Sequence, residues 1–280
     1  MRFTKQQAQH RPWPRRFRYR RSTCRVLCLK FKRQLSCIKG CFDMSLYEIV
    51  TDFERPDPAL IERALDLYFC IVGCRVGPRY VMDAGIKALE REWRICGPAV
   101  TVRPEQTDDV YMAQLVGKYV KPGDVVVVDA GGRADAACLG ASMANGLKEM
   151  GAVGIVADGF VLTAEVIRKR EGIPVFCRGS VSLSRGTNHP GWINTPAICG
   201  GGVIVNPGDL ILGDEDGVVV VPQTHAEEII SLVEGHGNGR EKPGRPRDGN
   251  IPDRDPVDDP YYKRSGAEAK LAEMDNIIIR

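Results

Sequence analysis

Two short stretches hold residue types able to do chemistry together. Asp158-Gly159-Phe160-Val161-Leu162-Thr163 follows an apolar run and offers a carboxylate and a hydroxyl. Asp158 suits a base or a metal ligand, although an Asp-Gly after a strand also makes a plain turn. Thr163 suits contact with a substrate, or an N-cap accepting a backbone N–H at a helix start. Gly140-Ala141-Ser142-Met143 is the second stretch. Small residues near a helix start present backbone N–H groups to a carboxylate, and equally allow close packing of helix on sheet. Arg178, after another apolar run, suits an acid ligand or a supporting role at the site. Asp135 and Glu165 are further carboxylates near these stretches, whereas Asp214 and Asp216 read as shapers of a tight turn. His189, in Asn188-His189-Pro190, has no Cys or His close in sequence and reads as a surface residue.

The elements that must position these groups follow from apolar patterning. Val125 to Val128 are four β-branched residues in a row, as a strand buried on both faces requires. Asp129, Gly131 and Gly132 break the run. Leu139, Met143, Ala144, Leu147 and Met150 recur at spacings of three and four, which predicts a helix over 136–150 closed by Gly151. Val153 to Ala157 predicts a second buried strand, and Thr163 to Arg170 a second helix ending at Gly172. Strand, glycine loop, helix and strand within about fifty residues form a parallel βαβ unit. In open α/β sheets ligands gather at the carboxyl ends of the strands. That places any chemistry around 140–143 and 158–163.

Further helices are expected over 58–73, 82–90, 108–120 and 225–234, with Asp57 capping the first ahead of Pro58. Strands are expected over 99–103, 173–178, 203–205, 210–212 and 218–221, with a polar loop over 186–192. Asn206-Pro207-Gly208-Asp209 and 214–217 supply turn chemistry between the last strands.

Composition narrows the function. No apolar run approaches the roughly 20 residues that span a bilayer. Residues 1–43 carry 13 Lys and Arg against the single acid Asp43, a charge of +12. The whole-chain charge of +3 therefore leaves −9 for the rest. An acidic body lacks the basic face that nucleic acid demands. Residues 1–43 have three readings: an Arg-rich organelle-targeting peptide, a basic arm with Trp13, Phe17 and Tyr19 interleaved for stacking, or sequence upstream of a true start at Met44. Their cysteines, Cys24, Cys28, Cys37 and Cys41, form two C-x3-C pairs, whereas zinc sites favour tighter and better-separated pairs. Cys70, Cys74, Cys96, Cys138, Cys177 and Cys199 show no pairing rhythm, so reduced thiols in a cytoplasmic compartment are expected. Residues 44–234 make up the expected domain, and 235–280 a Gly-, Pro- and charge-rich tail that cannot bury much surface.

Ordered along the chain, several segments resemble one family. They are Pro122-Gly123-Asp124 with Val125 to Asp129, Gly140 to Ala144, Gly154 to Gly159, Ile173 to Gly179, Val205 to Leu210 and Gly213 to Pro222. Over residues 80–233 their order and spacing resemble the class II pyruvate aldolases. These cleave 4-hydroxy-4-methyl-2-oxoglutarate and 4-carboxy-4-hydroxy-2-oxoadipate, and other members of the family are named as regulators of ribonuclease E. The resemblance implies a swivelling-type α/β/β/α domain with mixed sheets, assembled as a homotrimer or hexamer with active sites at subunit contacts. It also implies a small 2-oxo acid as ligand and a divalent metal, Mg or Mn, as cofactor.

The departures fall on the chemistry. The aldolases carry D-G-x-x-R-D, whose Arg steadies the pyruvyl enolate and whose last Asp anchors the metal. By position, Leu162 stands at the Arg and Thr163 at the metal ligand, and Ala141 replaces an acid common after Gly140. Leucine offers no charge to an enolate, and a neutral hydroxyl is a weak ligand for a hard cation. Two functions follow as expectations. One is a carbon–carbon lyase acting on a 4-hydroxy-2-oxo dicarboxylic acid, or decarboxylating oxaloacetate, through a metal-stabilised enolate. The other is a non-catalytic member that binds a small acid or a protein.

Overall fold

The computed structural model describes residues 47–105, 111–169, 172–184 and 190–235. The expected arm and the expected tail beyond Gly235 lie outside these residues, as does His189.

The four valines that end at Asp129 form β3 (Val125–Val128), fully buried. On one side it pairs in parallel with β2 (Ile95–Pro104). On the other it pairs in parallel with β5 (Gly154–Ala157), itself parallel to β7 (Val175–Cys177). β1 (Lys87–Ala88) closes this edge against β7. Beyond β2 lies the antiparallel hairpin β12 (Leu210–Asp214) and β13 (Gly217–Val221), turned by residues 214–217 as their composition predicts. β9 (Gly191–Ile193) also pairs with β2, so part of the expected polar loop is strand. The order is β1-β7-β5-β3-β2-β12-β13, a mixed sheet.

Both faces of this sheet are covered, which explains its unbroken apolar runs. One face packs α3 (Tyr111–Leu115), α4 (Ala141–Glu149) and α5 (Ala164–Lys169) around Val100, Val126, Ile155 and Leu147. The other face meets the hairpin of β10 (Ala197–Cys199) and β11 (Val203–Val205) across Val127, Val156 and Phe176. The β12–β13 end is covered by α1 (Pro58–Leu65), α2 (Phe69–Val76) and α6 (Ala226–Gly235). Among the described residues no helix is long and apolar enough to cross a membrane.

Three expected helices are corrected. Residues 137–140 form β4 (Ala137–Gly140), which pairs in parallel with β6 (Phe160–Leu162), itself paired with β8 (Gly179–Ser180). Small residues satisfy either period, so a helical spacing that began in the strand was not decisive. Residues 82–90 form no helix: the Asp83 carboxylate accepts from Gly85 N and folds a turn, and Lys87–Ala88 then joins the sheet. The helix expected over 58–73 is two, because it breaks at Asp66 and restarts at Phe69. Asp57 does cap the first, accepting from Ala59 N at 2.8 Å.

The start of β3 is tied down by a buried ion pair. Arg55 Nε and Nη2 donate to the two Asp124 carboxylate oxygens at 2.8 and 2.9 Å, and the Asp124 side chain is fully buried. Replacing Arg55 with Ala leaves that charge uncompensated, which costs about 3–5 kcal/mol. Arg55→Ala should therefore melt about 10 °C lower, on the scale of a few degrees per kcal/mol for a domain of this size. Calorimetry on the full chain checks this, and an unchanged melting temperature would contradict it.

Candidate functional site

Three parallel strands each end in a charged residue: Asp129 after β3, Asp158 after β5 and Arg178 after β7. Strand pairing places Val128 beside Ala157 and Val156 beside Phe176, so the three side chains stand in a row. Period-two alternation turns them to the face that carries the β10–β11 hairpin.

Arg178 is the centre of the row. Its Nε donates to Asp158 Oδ1 at 2.5 Å, and its Nη1 and Nη2 donate to Asp83 at 3.1 and 2.7 Å. Asp158 is 5% exposed and also accepts from Gly200 N at 2.8 Å. Asp129 accepts from Gly131 N and from Ile198 N. Its pKa is raised, mainly because burial disfavours its charge. Asp83's pKa is lowered, mainly by the Arg178 hydrogen bonds. Arg178 is held charged by the same bonds, Asp83 first. These groups lock the ends of β5 and β7 to the 83–85 turn and to the hairpin that follows Ile198. Gly132 belongs to this lock, since a Cβ there would sit 3.2 Å from Arg178 Nε and its backbone adopts φ 69°.

The second cluster lies where β4 runs into α4. Gly140 and Leu162 are register partners, and the half-buried Leu162 lies alongside the bare Gly140. Thr163 adopts φ 57°, an uncommon backbone for a β-branched residue and a mark of local strain. Its Oγ1 accepts from Ala141 N at 3.1 Å and donates to Leu162 O at 2.6 Å. The hydroxyl therefore caps α4, a helix other than its own, while its carbonyl accepts from Val166 N and Ile167 N to start α5. Capping takes one of the first amides of α4 and leaves those of Ser142 and Met143 without partners inside the helix. Ser142 is exposed and Met143 half-buried.

The other carboxylates read from sequence are occupied. Asp135 pairs with Arg133, and Glu165 pairs with Lys169 one turn along α5. Asp214 accepts from Asp216 N inside the β12–β13 turn. Sequence reasoning passed over Asp83 and Asp129. The signal for Asp129 was there, because a valine run ending in Asp and then glycine repeats at 154–159. Asp83 had none, being 95 residues from its partner. Arg103, at the carboxyl end of β2, was also missed, and its guanidinium stacks over Trp192 at 4.2 Å.

A divalent cation does not fit what is present. Asp158 is committed to Arg178 and Gly200, and the Thr163 hydroxyl is committed to Ala141 and Leu162. No group of three His, Cys, Asp or Glu able to hold a metal occurs among the described residues.

Comparison with known proteins supplies the context. Residues 72–220 match the family described as RraA-like, Aldolase/RraA. A Halalkalibacterium halodurans protein named a candidate 4-hydroxy-4-methyl-2-oxoglutarate aldolase is 38% identical over 150 residues, covering 53% of this chain and 70% of its own. The Legionella pneumophila protein DlpA is 30% identical over 151 residues, which are 52% of this chain and only 24% of that longer protein. Among solved structures, Streptomyces coelicolor RraAS2 is described as an unusual member of the RNase ES inhibitor RraA protein family. It matches with a TM-score of 0.59 and 33% identity, over 66% of this chain and 95% of its own.

Replacing Asp83 with Asn tests the charged row. Its pKa lies below the ordinary carboxylate value, so its contribution to stability is present above about pH 4, the unfolded value. That contribution is lost as pH falls through the lower folded value. Asp83→Asn should be less stable than the native chain at pH 7, by about 1 kcal/mol or less, because the Asp83 side chain is 38% exposed and solvent screens the pair. The gap should close as pH falls below 4. Urea melts at several pH values read this, and a gap that widens in acid would contradict it.

Proposed function

Because this chain belongs to the RraA-like family, Aldolase/RraA, we propose that it receives a small 2-oxo acid at the amino end of α4 and that its chemistry is of the aldolase type. The reaction proposed is carbon–carbon lyase action on a 4-hydroxy-2-oxo dicarboxylic acid, or decarboxylation of oxaloacetate. What carries the reading is the open start of α4 beside the β6 loop, where the Ser142 and Met143 N–H groups face outward from the helix end. Backbone donors and the helix dipole both favour a carboxylate there. Leu162, packed beside Gly140, shields the ligand from water on one side.

The same loop sets the speed. No guanidinium stands at Leu162 to meet an enolate oxygen, and Thr163 spends its hydroxyl on capping. The residues present do not support a divalent metal, so no step is assigned to one. Losing one such positioned donor typically lowers a rate about a hundred- to a thousandfold. Turnover is therefore slow.

A second reading rests on that observation: a non-catalytic member that binds a small acid or a protein. The description of RraAS2 as an unusual member of an inhibitor family supports it. Both readings include self-assembly as a trimer or hexamer. Ile198 and Ile204 face each other across the β10–β11 hairpin at 52% and 56% exposure, an apolar patch that a second copy would cover. A cytoplasmic setting fits the six free thiols among the described residues.

The deciding experiment measures pyruvate release from oxaloacetate by the native chain, by Leu162→Arg, by Thr163→Asp and by the double variant, with and without magnesium or manganese. Arg supplies a fixed donor to the enolate and Asp a charged oxygen to a metal, each of little use alone. Single changes should recover little. The double variant should gain metal-dependent turnover about a hundredfold or more above the native chain, a non-additive result. A native rate equal to that of the double variant would show that the working groups lie elsewhere. Pyruvate binding by the native chain without turnover would favour the second reading.

A further inference from the structure

One face of α2 brings two thiols together. Cys70 and Cys74 stand four residues apart in this helix, one turn along it, and both are exposed. Both line a cavity of about 430 Å³ between α2 and the β12–β13 hairpin, so both side chains face the same way. Gly73 lets the helix lie close to the hairpin, since a Cβ there would stand 3.2 Å from a Val219 methyl. Phe69, Val81 and Val219 supply apolar wall beside the thiols. The other thiols among the described residues, Cys96, Cys138, Cys177 and Cys199, are buried.

Spacing decides what such a pair can do. Side chains one turn apart on a helix hold their Cβ atoms about 5–6 Å from each other. A disulfide needs about 3.5–4.5 Å between them, so direct closure would unwind the turn. A single bridging atom removes that mismatch: two sulfur–metal bonds of about 2.3 Å each, the length in zinc thiolates, add a link of about 4.5 Å. Sulfur ligands select soft ions such as univalent copper, which is satisfied by two of them in a line. Zinc prefers four ligands. Among the described residues no group of three His, Cys, Asp or Glu could hold a metal.

We propose that Cys70 and Cys74 form a two-sulfur site for a soft univalent metal ion of the copper(I) class, bridged along one turn of α2 and sheltered by the hairpin. On binding, two S–H bonds break, two S–metal bonds form and two protons pass to solvent, with no change of oxidation state. Burial, and then Asp216 and Asp214, hold the Cys70 thiol above its ordinary pKa, so at neutral pH the metal must displace a proton there. The apolar wall limits the water that reaches the ion. The site is separate from the start of α4 and does not depend on the reading given for it.

The two thiols provide the readout. The reduced full-length chain is equilibrated without oxygen in copper(I) buffered by bicinchoninate, then treated with N-ethylmaleimide. Rates at Cys70 and Cys74 are followed by peptide mass, which separates them from the C-x3-C pairs Cys24-Cys28 and Cys37-Cys41. Copper(I) should slow both thiols together about tenfold or more, since a metal-bound thiolate is no longer a free nucleophile. Micromolar zinc should slow neither. Cys70→Ser and Cys74→Ser should each abolish copper protection of the thiol left behind. Cys74→Ser combined with Arg75→Cys turns the second thiol about 100° round the helix and should not restore it. Between pH 6 and pH 7 the affinity for copper(I) should rise, by about tenfold for each proton displaced. Protection that survives in either single variant overturns the proposal, as does equal protection by zinc or none by copper(I). A Cys70–Cys74 disulfide formed in the folded chain by a mild oxidant also overturns it, because the helix would then not hold the thiols apart. Thiols that resist maleimide before any metal is added overturn it too, because the cavity would already be filled.

Discussion

A single cation between two carboxylates orders much of this molecule. Arg178 binds Asp158 through its Nε and Asp83 through both Nη atoms, and these residues come from three separate segments. The planar guanidinium fork suits this double duty, whereas a lysine ammonium would not span it. Removing the cation would leave the nearly buried Asp158 carboxylate with the Gly200 amide as its one remaining hydrogen-bond partner among the described residues. Asp129 beside it already strains against burial, so the row tolerates no further uncompensated charge. The ends of the central strands, the 83–85 turn and the glycine turn at 200–202 thus depend on one side chain.

This lock has a chemical consequence. The carboxyl ends of parallel strands are where α/β sheets usually bind ligands. Here Asp129, Asp158 and Arg178 at those ends are spent on one another, on Asp83 and on backbone amides, while Arg103 stacks on Trp192. The start of α4, where Ser142 is exposed, takes no part in these contacts. Thr163 reaches across from the β6 loop to cap that helix, and the αL backbone at φ 57° brings its hydroxyl there. A strained residue whose side chain serves a neighbouring helix marks the loop as constrained for a purpose. In the function proposed here, that loop shapes the helix end that receives the acid.

The sequence disclosed the sheet more readily than the site. Val125 to Val128 and Val153 to Ala157 read as buried strands, and the structure has them at Val125–Val128 and Gly154–Ala157; the glycine breaks after them gave the βαβ reading. Ala137 to Gly140 misled, because small residues suit a helix or a strand and only the pairing with Phe160 to Leu162 chose between them. The exchange of an Arg-Asp pair for Leu162-Thr163 was visible once the family resemblance was. The capping of Ala141 by Thr163 was not, since sequence spacing suggests a cap for the helix that follows and tertiary structure supplies one for the helix before. Asp83 and Arg178 lie far apart in sequence, and no local pattern announces a bond between them.

The central claim is that this scaffold keeps a site for a small 2-oxo acid while lacking the charged groups that would hold a metal. Manganese-enhanced water proton relaxation measures it directly, by titrating Mn²⁺ into the full chain with and without pyruvate. The account predicts no site tighter than millimolar and no change in enhancement when pyruvate is added. One tight Mn²⁺ per chain, with an enhancement that shifts on adding pyruvate, would contradict it.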